Sequence, residues 1–481
     1  MALRICLGSL ACLGALLFAN PAAAAPALRL PSDVRLQLAK AGLPESALTV
    51  YAFGLHQRDQ VLNLRGEQAV PVGSAMKLVT AVVALDKLGA ASRGRTDLLA
   101  DGPQLGDVLS GPLYLRGGAD AELDWGALWL MLRTLREQHG LREIQGGLVV
   151  DRTLFLPVRP ELGLAAFDES PEWPYNVVPD ALHLNGSLLG YTLISDAGSV
   201  SAQPGPAWPG IQVDVSGLRL VDKPCVDWEQ GWRLPGMRQD EALATVELRG
   251  EFPRQCQQRL TLNLLDRQWL SSQALRQMWA ELGGSMGPNN LEAGTPASAR
   301  LLASHQDRPL GELLRGVLKQ SDNPLSRLVF LRLGAASAAP GEPTQAAAAR
   351  AVQQWLAAKG IGSDGLVLDN GSGLSRSERI QPAQLAALLA AAWDGPLAPE
   401  LLSGLPLAGV DGTLKRRFIG GPAEGRARLK TGTLRNVRAL AGYVYDGKHR
   451  PWVLVAAINH EDAAKGRAAL DALVEWLARK Q

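Results

Sequence analysis

Cysteine is scarce in this chain of 481 residues: there are four, Cys6, Cys12, Cys225 and Cys256, and no cluster of His or Cys lies near the last two. A zinc-type site is therefore excluded. An excess of charge of one sign is also lacking, because Lys+Arg 49 against Asp+Glu 47 gives a net +2. That balance removes the bulk electrostatic case for nucleic acid or an anionic membrane surface as partner. Beyond the N-terminus no run reaches the roughly 18 apolar residues of a membrane span, so no transmembrane anchor is expected. None of the six histidines (His56, His139, His183, His305, His449, His460) has a metal-ligand spacing such as H-E-x-x-H. No G-x-S-x-G elbow occurs, and Gly371-Ser372-Gly373 is too short for a phosphate loop. Nothing here argues for a metal, a cofactor or a Ser-His-Asp hydrolase.

What is present describes an exported globular protein. Hydrophobic residues make up 47% and charged residues 20%, an ordinary globular composition, and the length allows about three domains. Arg4, an apolar run over 5–19 and the alanines 22–25 read as a secretory signal over 1–24, cleaved after Ala24, with the periplasm as destination. A lipoprotein signal using Cys12 is the rival, but Ser9-Leu10-Ala11-Cys12 lacks an aliphatic residue three positions before the cysteine. In an oxidising compartment the two remaining cysteines favour a Cys225–Cys256 disulfide over two free buried thiols.

Apolar periodicity predicts strands at 48–53 and 61–64, then a helix from Ser74 to about 85 that Gly89 can end. Near the other end it predicts helices over 344–359 and 384–393, strands at 428–433, 440–445 and 452–458, and a closing helix over 463–479. The expected fold is α+β, one antiparallel sheet covered by helices and assembled from residues 25–90 and 265–481. Residues 91–264 differ in texture: Pro/Gly-rich turns, short strands such as 147–150, and one clear helix over 128–138. They are expected to form one or two inserted, mainly β domains. Trp125, Trp129, Trp173, Trp208, Trp228, Trp232 and Trp269 fall in or near it, as core anchors or as sugar-stacking surfaces.

The predicted helix at 74 puts Ser74 and Lys77 at i and i+3, on one face. A serine hydroxyl attacks a carbonyl only if a base takes its proton, and a lysine is such a base only when burial or a nearby cation lowers its pKa. Ser-x-x-Lys alone also fits a helix cap followed by an exposed lysine. Two further triplets alter that balance: Ser321-Asp322-Asn323 between two helical patterns, and Lys430-Thr431-Gly432-Thr433 on a predicted strand. Together, in this order, they are the set that marks penicillin-binding proteins and class A β-lactamases. Each has a task in acyl transfer: Ser74 as nucleophile, Lys77 as base, Ser321 as proton relay, and Asn323 holding the substrate amide and orienting Lys77. Lys430 supplies a cation for a terminal carboxylate, which Thr431 and Thr433 also reach, while Gly432 allows close approach. The N–H groups of Ser74 and Thr433 are candidates for an oxyanion hole.

With these motifs the chain resembles the D-alanyl-D-alanine carboxypeptidase/endopeptidases of the penicillin-binding protein 4 type. The 247 residues from Ser74 to Ser321 match the large insertion of that family. Asp369-Asn370-Gly371-Ser372-Gly373-Leu374-Ser375-Arg376 is similar to its Asp-Gly-Ser-Gly-Leu-Ser segment, with Asn370 extra, and residues 405–414, 146–155 and 173–182 look familiar too. Val72-Gly73-Ser74 departs from the usual Pro-Ala-Ser, and Gly118-Ala119-Asp120 from the usual Gly-Asp-Pro. The resemblance implies a transpeptidase-like core with two nested inserted domains, a serine peptidase acting on peptidoglycan stem peptides that end in D-Ala-D-Ala or on their cross-links, and β-lactams as covalent inhibitors. It also implies that an aspartate of the insertion contacts the free amine of the stem's diamino acid; Asp151 is the match, with a turn aspartate as the alternative. A β-lactamase, or a slow wall-binding scaffold, is the competing expectation.

Overall fold

The computed structural model describes residues 28–58 and 60–481. The expected signal segment, with Cys6 and Cys12, lies outside them. Both ends of the chain meet in one five-stranded sheet: β1 (Leu48–Gly54), β2 (Val61–Leu64), β3 (Ala427–Leu434), β4 (Val437–Tyr445) and β5 (Pro451–Asn459), in spatial order β3-β4-β5-β1-β2. All its neighbours are antiparallel, with Val50 opposite Ala456 and Lys430 opposite Ala441.

The sheet is buried on both faces because its period-two alternation feeds two cores. Phe53, Ala439, Ala441, Tyr443, Val453 and Val455 face helices Lys77–Leu88, Leu310–Gln320, Asn323–Ala335 and Pro382–Trp393. Val50, Ala52, Leu440, Val444, Leu454 and Ala456 face the other way, onto Ser32–Lys40 and the closing helix Arg467–Arg479. Every residue from Lys77 to Leu85 is buried, as an all-round apolar helix requires. Gly89 ends that helix as its sequence suggests, donating its N–H to Leu85 O at 3.1 Å.

The insertion holds a mixed five-stranded sheet in the order Asn290–Glu292, Leu148–Asp151, Leu113–Gly118, Arg95–Ala100, Arg300–Gln306. Two three-stranded sheets, built from segments between Leu189 and Leu262, lie within it in sequence. The region extends further than expected. Helix Arg267–Glu281 contributes Trp269, Leu275 and Trp279 to the insertion's core, and Arg300–Gln306 pairs with Arg95–Ala100, so the chain rejoins the first body after Gln306 and not at 265. Arg300–Gln306 has exposed and buried positions without clean alternation, which is why its strand character escapes periodicity.

Cys225 and Cys256 form the disulfide, with Cα atoms 5.2 Å apart. The tryptophans act as core anchors: Trp269 is buried, Trp125 packs edge-on against Trp208, and Trp173, Trp228 and Trp232 form a trio with centroids 5.6 to 6.0 Å apart. Among the described residues no helix is long and apolar enough to cross a membrane.

Candidate active site

Ser74 lies in a 3-10 turn, Gly73–Met76, and the α-helix begins at Lys77. Three residues per turn stack positions i and i+3 more closely than an α-helix would. Lys77 Nζ sits 3.1 Å from Ser74 Oγ, 2.6 Å from Asn323 Oδ1 and 2.5 Å from the Ser372 carbonyl oxygen. The side chain is wholly buried, and burial lowers its pKa from the ordinary 10.5 to about 7, against the opposing pull of Asp322 and Glu378. A lysine in this state exchanges a proton with a neighbouring hydroxyl near neutral pH.

Ser321 and Asn323 come from a tight corner between two helices. Ser321 caps Leu310–Gln320 in the left-handed region (φ 61), and Asp322 caps Asn323–Ala335 by accepting from Leu325 N at 2.8 Å. The corner aims Ser321 at the edge strand, where Lys430 Nζ donates to its Oγ at 2.8 Å, and aims Asn323 at Lys77. Lys430 is fully buried too, and burial, followed by the charge of Lys77, drives its pKa down. Its other bond goes to the Thr431 carbonyl at 3.0 Å.

The nucleophile turn, the strand and one loop meet backbone to backbone. Gly73 has φ 53, and a Cβ there would lie 3.0 Å from Thr433 N. A Cβ on Gly432 would overlap the Val72 carbonyl oxygen, and one on Gly373 would overlap that of Gly73. β3 is an edge strand. Leu429 N donates outward to Pro406 O at 3.0 Å, and Ala427 O accepts from Ala408 N at 2.9 Å, so odd-numbered residues present their backbone groups to the edge. By the same alternation the Thr433 N–H points outward beside Ser74, where an oxyanion would form.

Two groups at this site carry no motif. The Ser372 carbonyl holds Lys77, and its loop is held by the buried carboxylate of Glu378, which accepts from Asp369 N (3.1 Å), Asn370 N (2.9 Å), Gly371 N (2.8 Å) and Gly373 N (2.8 Å). The Gly371 carbonyl accepts in turn from Thr80 Oγ1 at 2.6 Å and Ser326 Oγ at 3.0 Å. The familiar 369–376 segment was the only signal for this loop; Glu378 lies just beyond it. The insertion also reaches in: Asn323 Nδ2 donates to the Tyr175 carbonyl at 3.2 Å, and Arg327 Nη1 to that of Val177 at 3.2 Å.

The structure thus gathers Ser74, Lys77, Ser321, Asn323 and Lys430, with Gly432 and Thr433 against them. Thr431 bonds Thr413 through their hydroxyls at 3.0 Å. Asp151 stands apart from this group. It ends strand Leu148–Asp151, and its carboxylate accepts from Thr153 N (2.9 Å), Thr153 Oγ1 (2.6 Å) and Thr295 N (2.7 Å). Burial pushes its pKa up, but those bonds outweigh it and hold it below the ordinary aspartate range; the two to Thr153 are those of a turn aspartate.

Comparison with known proteins agrees with this geometry. Residues 30–480 match the model of the D-Ala-D-Ala carboxypeptidase 3 (S13) family. The D-alanyl-D-alanine carboxypeptidase of Actinomadura sp. (strain R39) is 30% identical over 401 residues, 79% of this chain and 71% of that protein. D-alanyl-D-alanine carboxypeptidase DacB of Haemophilus influenzae is 26% identical over 423 residues, 87% and 86% of the two chains. The crystal structure of penicillin binding protein 4 (dacB) from Haemophilus influenzae shares the fold, with a TM-score of 0.77 at 24% identity, over 94% of this chain and 100% of that one. With a match that spans nearly its whole length, and a serine and a buried lysine in contact at its centre, the chain belongs to the D-Ala-D-Ala carboxypeptidase 3 (S13) family of serine-type peptidases.

Proposed function

We propose that this protein is a serine DD-peptidase that removes the terminal D-alanine from peptidoglycan stem peptides, or splits their cross-links, through an acyl-enzyme on Ser74. The observation that carries the reading is the wholly buried Lys77 with its Nζ 3.1 Å from Ser74 Oγ. Neutral Lys77 takes the hydroxyl proton as Oγ bonds to the carbonyl carbon of the scissile amide. The oxyanion is received by the N–H groups of Ser74 and Thr433, each worth about 2.7 to 4 kcal/mol in comparable sites. As the C–N bond breaks, Ser321, hydrogen-bonded to Lys430, passes its hydroxyl proton to the departing amine and takes in exchange the proton that Lys77 had accepted, so that Lys77 is neutral again. Water then attacks the ester carbonyl as neutral Lys77 takes one of its protons, and Lys77 gives that proton to Ser74 Oγ as the ester C–O bond breaks, which regenerates both groups.

β-Lactams fit the same path, because a strained cyclic amide acylates Ser74 without releasing a leaving amine from the site. The Haemophilus influenzae protein has been crystallised complexed with a novel β-lactam. Export to the periplasm is supported by the signal-like residues 1–24 and by the disulfide, which belongs to an oxidising compartment. We assign residues up to about 94 and from about 307 to the catalytic body, and those between to the insertion.

The test incubates the mature protein with labelled penicillin and, separately, with a muropeptide ending in D-Ala-D-Ala, with Ser74→Ala as control. A lasting adduct on Ser74 together with released D-alanine or split cross-links is the expected result. Rapid release of hydrolysed penicillin would point to a β-lactamase, and neither adduct nor product would leave a scaffold.

A further inference from the structure

Arg327 stands one helical turn beyond Asn323, at i+4 on the same face of Asn323–Ala335, and is buried there. A buried guanidinium is costly unless a carboxylate pairs with it. Here no carboxylate lies within ion-pair distance among the described residues, and the hydrogen bonds go to main-chain oxygens: Nη1 to those of Val177 at 3.2 Å and Asn176 at 3.5 Å, Nη2 to that of Leu374 at 3.4 Å. Nε meets no acceptor. Ion pairing does not account for a cation in this position, no motif contains it, and the acyl-transfer path gives it no step.

Its acceptors belong to two segments, and each segment holds something on which Lys77 depends. Leu374 comes two residues after Ser372, whose carbonyl oxygen is 2.5 Å from Lys77 Nζ. Asn176 and Val177 follow Tyr175, whose carbonyl accepts from Asn323 Nδ2 at 3.2 Å and so leaves Asn323 Oδ1 to face Lys77, 2.6 Å away. One planar fork thus ties helix, loop and insertion together where both oxygen partners of Lys77 are set. Its charge acts in the same place. Asp322 at the helix cap and Glu378 under the loop favour the protonated form of Lys77, and Arg327 opposes it; Lys430, on the edge strand, is the other basic group there. Asp369 and Glu378 of the loop are the acids that face Arg327 itself. On the insertion side Asp168 accepts from Tyr175 Oη at 2.6 Å, and Arg376 donates to the Phe167 carbonyl at 3.2 Å.

We propose that Arg327 is a positioning residue for Lys77, fastening the Ser372 loop and the insertion to the helix that carries Asn323 and holding a fixed positive charge in the same buried pocket. The assignment rests on the DD-peptidase reading and gives the insertion a part in catalysis that is exerted through the base. Its two effects have one sign. A loosened fork lets water reach the ammonium, and a missing charge makes protonation easier, so either change moves the midpoint of Lys77 up.

The test follows the rate of Ser74 acylation by labelled penicillin against pH in the wild type, Arg327→Gln and Arg327→Lys, with a thermal melt of each. Glutamine keeps a donor for one carbonyl and loses the charge, whereas lysine keeps the charge and loses the fork. The expected result is a midpoint about one pH unit higher in Arg327→Gln, so that acylation is about eightfold slower at about pH 6.5 and nearly restored at about pH 9, with Arg327→Lys between this variant and the wild type. An unchanged midpoint in folded Arg327→Gln, or a loss that is equal at every pH in both variants, overturns the assignment. Failure of both variants to fold overturns it too, since that describes an arginine serving structure alone. Failure of the peptidase reading is seen separately, as absence of a Ser74 penicillin adduct in the wild type.

Discussion

A lysine in water keeps its proton to about pH 10.5, and the environment of Lys77 moves that midpoint to about 7 by removing water from the ammonium. The working form of a base is the unprotonated one, so the sign is fixed: activity is lost as pH falls through about 7, not as it rises. Below that midpoint the neutral fraction drops about tenfold per pH unit. The rate of Ser74 acylation by labelled penicillin should therefore climb about eightfold between about pH 5.5 and 6.5 and level off by about pH 8. A rate that is flat over this range, or that rises only above about pH 9, would remove Lys77 as the base. At this scale the sequence is most legible where side chains carry the chemistry. Ser74, Lys77, Ser321, Asn323 and Lys430 form motifs because the proposed acyl transfer draws on their side-chain groups, whereas the Ser372 contact is a backbone oxygen that any residue type supplies. Glu378 holds main-chain N–H groups that any residue type supplies, and Asp151 shows the converse, a residue of a recognisable segment whose carboxylate is held by Thr153 and by the main chain at Thr295.

The edge strand is the element on which the site depends, and its fit is decided by a missing side chain. Gly432 lies over the Val72 carbonyl so closely that any Cβ would displace either β3 or the turn holding Ser74. In Gly432→Ala the strand can yield, since β3 is paired only with β4 along this stretch. The expected outcome is a loss of acylation of a hundredfold or more, with a stability cost of about 1–3 kcal/mol. Penicillin labelling and denaturant unfolding measure the two; full acylation in a stably folded variant would show that the contact does not position the oxyanion hole. Element by element, the central sheet was readable because its strands alternate into two cores or run apolar throughout. Helix Arg267–Glu281 packs into the insertion's core although the expected catalytic range begins at 265, because a buried segment does not say which of two cores it enters.

At the scale of the whole molecule, the insertion leaves and returns through one point. Gly94 N donates to Asp307 Oδ1 at 2.6 Å, and Asp307 N to Gly94 O at 3.2 Å, while Asp307 Oδ2 accepts from Arg332 at 3.2 Å, which ties this neck to helix Asn323–Ala335. Ends this close can be joined by a short glycine linker without stretching the catalytic sheet, so the insertion can be removed as a unit. Its removal would still reach the chemistry. The Tyr175 carbonyl accepts from Asn323 Nδ2, the Val177 carbonyl accepts from Arg327, and Phe155 with Ala181 covers Leu328 and Leu331. A chain with residues 95–306 replaced by such a linker should retain the five-stranded sheet, lose thermal stability because Leu328 and Leu331 are uncovered, and acylate Ser74 at least tenfold more slowly. Circular dichroism, a thermal melt and penicillin labelling decide this together. Acylation at the intact rate would mean that Asn323 holds Lys77 without help, and that the insertion serves only what lies outside the active site.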